Sequence, residues 1–154
     1  MTGSGMAVKR LRVFLDTSAL VAGTVSTTGA AREVLRLCEA GVVELFLSRQ
    51  VLVEADRTFS AKLPGLVSDY RNLICRLEPI MLDDPSKKNV VRAERVIHSK
   101  DAPILAAAIN GEVDFLVTWN TRHFHQPSVD KAVRFKVVTP GEFLEEFRRW
   151  IPES

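Results

Sequence analysis

Three acids in this chain stand where chemistry can use them. Asp16 ends the apolar run Val13-Phe14-Leu15 and is followed by Thr17 and Ser18. Glu54 lies early in a segment that Ser48 can cap, beside an apolar stripe of Val51, Leu52, Ala55 and Phe59. Asp101 opens the stretch Ala102 to Ile109, so uniformly small or apolar that its helix must be buried. Asn120 is a fourth polar group, two residues beyond Thr118 at the end of the run Asp114 to Val117. Carboxylates brought together repel one another and are stable only when protonated or countered by cations. Hard divalent ions such as Mg²⁺ or Mn²⁺ suit an oxygen-only donor set and bind substrate phosphate. Such a site would support metal-assisted hydrolysis of a phosphodiester, the metal lowering the pKa of an attacking water and steadying charge on the phosphate. Each acid also has a plainer use: Asp16 and Asp101 can cap helices, and Glu54 can be a surface residue.

The elements that must position these groups alternate along the chain. Val13 to Leu15 reads as a buried strand, and Thr17 or Ser18 can cap the helix after it. Ala31, Val34, Leu35 and Cys38 recur at helical spacing between Gly29 and Ala40, with Gly41 as a stop. Val42 to Leu47 reads as a strand leading into the Ser48-capped helix. Pro64-Gly65 breaks the pattern before a helix marked by Leu66, Tyr70, Leu73 and Leu77. A short strand over Pro79 to Leu82 and a helix over Lys87 to Ser99 follow. Asp101 can cap the next helix, which Gly111 ends. Strands over Asp114 to Thr118 and Phe135 to Thr139 lead to a last helix opened by Pro140, whose Phe143, Leu144, Phe147 and Trp150 are expected to pack on the body. This alternation predicts a three-layer α/β/α sandwich around a mainly parallel sheet of about five strands. Ligands of open α/β sheets bind beyond the carboxyl ends of the strands, where Asp16, Thr118 and Asn120 would meet.

Composition narrows the classes. The chain has 154 residues, 46% hydrophobic and 26% charged, as expected of one globular domain. Residues 1–6 read as a flexible leader or cloning scar, and residues 7–154 as the domain. A net charge of +2 is compatible with a polyanionic partner. Arg32 and Arg36 lie one turn apart off the apolar stripe of their helix, and with Arg122 they are candidate phosphate contacts. Cys38 and Cys75 have no paired spacing, which fits buried thiols in a reducing cytoplasm. His123 and His125 do not share a helix face, so no zinc site is read there. No apolar run reaches the length of a membrane span.

The order and spacing of Val13-Phe14-Leu15-Asp16-Thr17-Ser18-Ala19-Leu20, Glu54, Asp101 with Pro103 to Ala108, and Leu116-Val117-Thr118-Trp119-Asn120 together resemble the PIN-domain family, and specifically VapC-type toxin ribonucleases of toxin–antitoxin pairs. The resemblance spans Leu11 to Phe147. It implies a PIN-like α/β/α sandwich with Asp16, Glu54 and Asp101 as the metal-binding acids and Asn120 as a fourth catalytic position. Thr17, Ser18 and Thr118 would support the site by hydrogen bonding. It further implies a cytoplasmic Mg²⁺- or Mn²⁺-dependent endoribonuclease that cuts single-stranded or looped RNA, leaves a 5′-phosphate and is held by an antitoxin protein. Homodimers are common among relatives. Many members carry an acid where this chain has Asn120, a neutral oxygen donor that would weaken binding of a second metal. Two other classes bear on the choice. A phosphatase of the haloacid-dehalogenase type needs a second Asp two positions after the first, where Ser18 stands here. A PIN fold that grips RNA or protein without cutting would have Asn120 as its sequence support.

Overall fold

Val13, Phe14 and Leu15 are buried on both sides, as a strand covered by helices on each face must be. They belong to β1 (Arg12–Leu15), the centre of a five-stranded sheet with β2 (Glu44–Leu47), β3 (Ile80–Met81), β4 (Phe115–Val117) and β5 (Lys136–Val138). The computed structural model describes residues 9–151; the leader expected over residues 1–6 lies outside them. Strand order is β3-β2-β1-β4-β5 and every pairing is parallel, with Phe14 opposite Phe46 on one side and Leu116 on the other.

Connections from β1 to β3 step one way across the sheet, and the connection from β3 to β4 returns past β2 and β1. Right-handed crossovers therefore place the two sets of helices on opposite faces. The first set is α1 (Thr17–Val25), α2 (Ala30–Glu39), α3 (Arg49–Lys62) and α4 (Val67–Leu77), the last entered through a 3₁₀ turn at Pro64–Leu66. The returning connection carries α5 (Lys87–Ala93) and α6 (Ala102–Asn110), which pack together. After β4 come α7 (Thr121–Phe124) and α8 (Pro127–Ala132), and α9 (Pro140–Trp150) closes against α2, β4 and β5. Gly23 lets α1 and α2 meet: a Cβ there would lie 2.6 Å from Leu35 Cδ1. Gly41 takes φ +76 and ends the α2 segment, the left-handed conformation glycine adopts most cheaply.

Local expectations hold where a cap or an apolar period sets the element. Ser48 caps α3, its hydroxyl accepting from Val51 N at 3.3 Å. Where they differ, a specific interaction explains it. Asp16 itself, in extended conformation, caps α1 by accepting from Ala19 N, so neither Thr17 nor Ser18 does. The helix expected over Lys87 to Ser99 ends at Ala93, because Arg95 N and Val96 N bond three residues back and tighten the chain. Asp101 precedes α6 with helical backbone angles rather than extended ones, and its side chain makes no capping bond. Trp150 occupies the last position of α9 and is 61% exposed, whereas Phe143 of the same helix is fully buried. The α7 and α8 turns, and the reciprocal capping box of Thr139 and Glu142, add to the elements that the sequence predicts.

Candidate functional site

All five strands run in parallel, so their carboxyl ends share one edge of the sheet. Asp16, Ser48, Thr118 and Thr139 directly follow β1, β2, β4 and β5 there. Strand order reverses between β1 and β4, which opens the crevice that such sheets use for ligands. Asp16 sits at that reversal, 2% exposed and fully engaged. Its Oδ1 accepts from Ala19 N at 3.0 Å and Ser18 Oγ at 2.7 Å, and its Oδ2 from Thr118 Oγ1 at 2.5 Å. Burial pushes the Asp16 carboxyl above its ordinary value, with nearby Asp101 adding to the rise; the hydrogen bonds from Thr118, Ala19 and Ser18 oppose it.

Thr118 is completely buried and links both halves of the crevice, since its Oγ1 also accepts from Asn120 N at 2.8 Å. Replacing Thr118 by Val is expected to lower stability by about 1.5–3 kcal/mol, the range for a lost hydrogen bond to a charged group, readable as a smaller denaturant midpoint. An unchanged midpoint would show that Asp16 does not rely on this hydroxyl.

Glu54 comes from the second turn of α3, which the Ser48 cap starts directly beyond β2. Its Oε1 accepts from Thr17 Oγ1 at 2.8 Å and its Oε2 from Gln50 Nε2 at 2.9 Å. Asp101 enters from the other face of the sheet. Its Oδ2 lies 2.9 Å from His123 Nδ1. That contact is within ion-pair distance but lacks hydrogen-bond geometry, so Oδ2 is buried without a hydrogen-bond partner. Asn120 Nδ2 lies 3.0 Å from the same ring nitrogen. When Asn120 donates there, Nδ1 has no proton to give the acid.

These side chains border one cleft of about 130 Å³, lined by Asp16, Thr17, Glu54, Lys100, Asp101, Ile104, Asn120, His123 and Phe124. The expected quartet of Asp16, Glu54, Asp101 and Asn120 is therefore brought together, and Ser18 and Thr118 stand directly behind it. Among the described residues no three His, Cys, Asp or Glu side chains form a ready-made metal cluster. The donor chemistry nevertheless suits a hard divalent ion, which typically takes only one or two carboxylates and completes its shell with water and phosphate. Asp101 Oδ2, buried without a hydrogen bond, is an oxygen whose desolvation such an ion would offset.

Arg32 and Arg36 are not at the cleft. Arg32 bonds Thr24 O and Ser26 O, and Arg36 bonds Thr27 O and Glu33, so both secure the loop at the far end of α1 from Asp16. Arg122 is exposed on α7, next to His123. Lys100 and His123, the latter weighed in the sequence only as half of a zinc pair with His125, are cleft residues that the sequence does not place there. Their only signals were adjacency to Asp101 and a three-residue step from Asn120.

A family model described as PIN domain matches residues 12–122. Comparison with curated proteins returns no match. Among solved structures the chain is similar to PAE2754 from Pyrobaculum aerophilum, with a TM-score of 0.60 and 16% identity over 88% of each chain. It is also similar to VapBC2 from Rickettsia felis, solved bound to a DNA fragment from their promoter, with a TM-score of 0.62 and 19% identity over 82% of this chain and 97% of that one. DNA-bound VapBC from Salmonella typhimurium gives a TM-score of 0.60 and 19% identity, over 82% of this chain and 98% of that one. With most of its length matched by the family model and its fold shared with these solved structures, this chain belongs to the PIN-domain family.

Proposed function

We propose that this protein is a Mg²⁺- or Mn²⁺-dependent endoribonuclease and the toxin of a toxin–antitoxin pair. The observation that carries the reading is the convergence of Asp16, Glu54 and Asp101, from three separate elements, on one cleft at the strand ends. A bound divalent ion would supply the attacking water at neutral pH and charge stabilisation at the phosphate. Asp101, whose buried Oδ2 has no hydrogen bond, would hold that ion with Asp16 and Glu54 from the same cleft, directly or through the ion's own waters. Thr118, Ser18 and the amide of Ala19 keep the Asp16 carboxylate oriented, and Thr17 and Gln50 do the same for Glu54. Lys100, at the same cleft, offers a positive charge to the incoming phosphate. Asn120 presents a neutral amide in place of a fourth acid, so one ion is the favoured stoichiometry.

Two solved neighbours are named VapBC, in keeping with the VapC-type pattern read in the sequence, and this supports an antitoxin protein as the partner of this chain. Among the described residues no helix is long and apolar enough to cross a membrane. Asn120 also favours a second reading, a PIN fold that binds RNA or protein without cutting. Incubation of purified protein with labelled structured RNA separates the two. Cleavage that needs Mn²⁺, stops with EDTA and leaves a 5′-phosphate is expected. Binding without any nicked product, across several RNAs, would select the binding module instead.

A further inference from the structure

Trp119 takes no part in the site described above, yet it stands between two residues that do. Thr118 holds Asp16, and Asn120 lines the cleft. The Trp119 N–H donates to Ser18 Oγ at 3.0 Å, and Ser18 Oγ donates to Asp16 Oδ1 at 2.7 Å. Its main chain is thus fixed one hydroxyl away from the buried acid. Its side chain is not absorbed by the fold: Trp119 is 50% exposed, next in the chain to the cleft residue Asn120. Trp150, the other strongly exposed aromatic among the described residues, is at the end of α9.

Half in water and set by its main chain next to Ser18 and Asp16, the Trp119 indole offers a flat apolar face that a ligand at the strand ends can reach. Asn120, Arg122 and His123 follow it closely in the chain, and Asn120 and His123 line the cleft together with Lys100. That setting suits a polyanion carrying flat π surfaces better than an apolar peptide. A nucleobase can stack on such an indole only when it is free of its own helical stack.

We propose that Trp119 is a specificity-determining residue, its indole stacking on an unpaired base next to the scissile phosphate and so restricting cleavage to single-stranded or looped RNA. The proposal rests on the ribonuclease reading and names the substrate feature that this site selects. Base–aromatic stacking changes affinity by roughly one order of magnitude per base. Trp119→Ala should therefore raise KM for an unpaired RNA about tenfold with kcat nearly unchanged, and Trp119→Phe should retain most of the affinity.

A second measurement needs no turnover. The sequence has two tryptophans, so Trp150→Phe leaves Trp119 as the sole indole. In Ca²⁺, a single-stranded oligoribonucleotide of about ten nucleotides should quench its fluorescence, and an abasic strand of equal length or a blunt duplex should not. An unchanged KM in Trp119→Ala, or equal quenching by the abasic strand, overturns the proposal. Wild-type protein that cleaves no RNA would refute the ribonuclease reading instead, and the fluorescence titration would still decide whether Trp119 stacks on bases.

Discussion

Asp16→Asn is expected to abolish metal-dependent RNA cleavage, by about a thousandfold or more, equivalent to about 4 kcal/mol of transition-state stabilisation, while the protein stays folded. Asparagine caps helices as well as aspartate does, so the start of α1 survives the exchange. What disappears is a negative charge beside Asp101. The wild-type carboxyl is raised above 3.8 in the fold, chiefly by burial. Its contribution to stability is therefore fully present below 3.8 and is lost as pH rises through the elevated folded value. Asparagine has no such loss. In EDTA, the variant should match or exceed the wild type in stability at neutral pH, and its advantage should shrink as the pH is lowered past the folded value. Denaturant titrations across pH give that comparison, and cleavage assays give the other. Undiminished Mn²⁺-dependent cleavage by Asp16→Asn would sink the assignment of this site.

Phe59→Ala is expected to produce the largest loss of stability, about 3–5 kcal/mol, with a melting temperature lower by about 10–15 °C. Phe59 is fully buried in α3 and stacks on Tyr70 of α4, with ring centroids 4.6 Å apart. Truncation would leave a cavity between the two helices and strip one face of the Tyr70 ring. Glu54 lies on the same helix, but it is held locally by Thr17 and Gln50. Well below the new melting temperature the variant should therefore still cleave RNA at a rate close to that of the wild type. Thermal melts and low-temperature cleavage test the two halves separately. A melting temperature that barely moves would show that α3 and α4 repack around the missing ring.

These two sites differ in how visible they are along the chain. Phe59 follows from helical spacing with Val51 and Ala55, and Asp16 from an apolar strand ending in an acid; both depend on near neighbours. The parallel sheet followed from the alternation of strands and helices, and Ser48 from cap chemistry. His123 and Lys100 depend instead on how distant segments pack, which no local period encodes. The α7 and α8 turns are too short, at four and six residues, to display a helical period at all. Asp101 shows how a correct position can carry a wrong local role: it directly precedes α6, but tertiary packing turns its carboxylate to the cleft instead of the helix amides.

The adjacency of β1 and β4 also bears on when the molecule can act. The hydroxyl that holds Asp16 belongs to Thr118, a partner 102 residues further along. Closing so long a loop is entropically costly and comes late, whereas β1 and β2 can pair much earlier. During synthesis the amino-terminal segments emerge first, already carrying Asp16 and Glu54 but without the strand that completes their surroundings. A chain still growing on the ribosome therefore has no assembled centre, and one truncated before β4 never acquires one. On the ribonuclease reading, completion of the sheet at β4 is therefore a precondition of any cleavage.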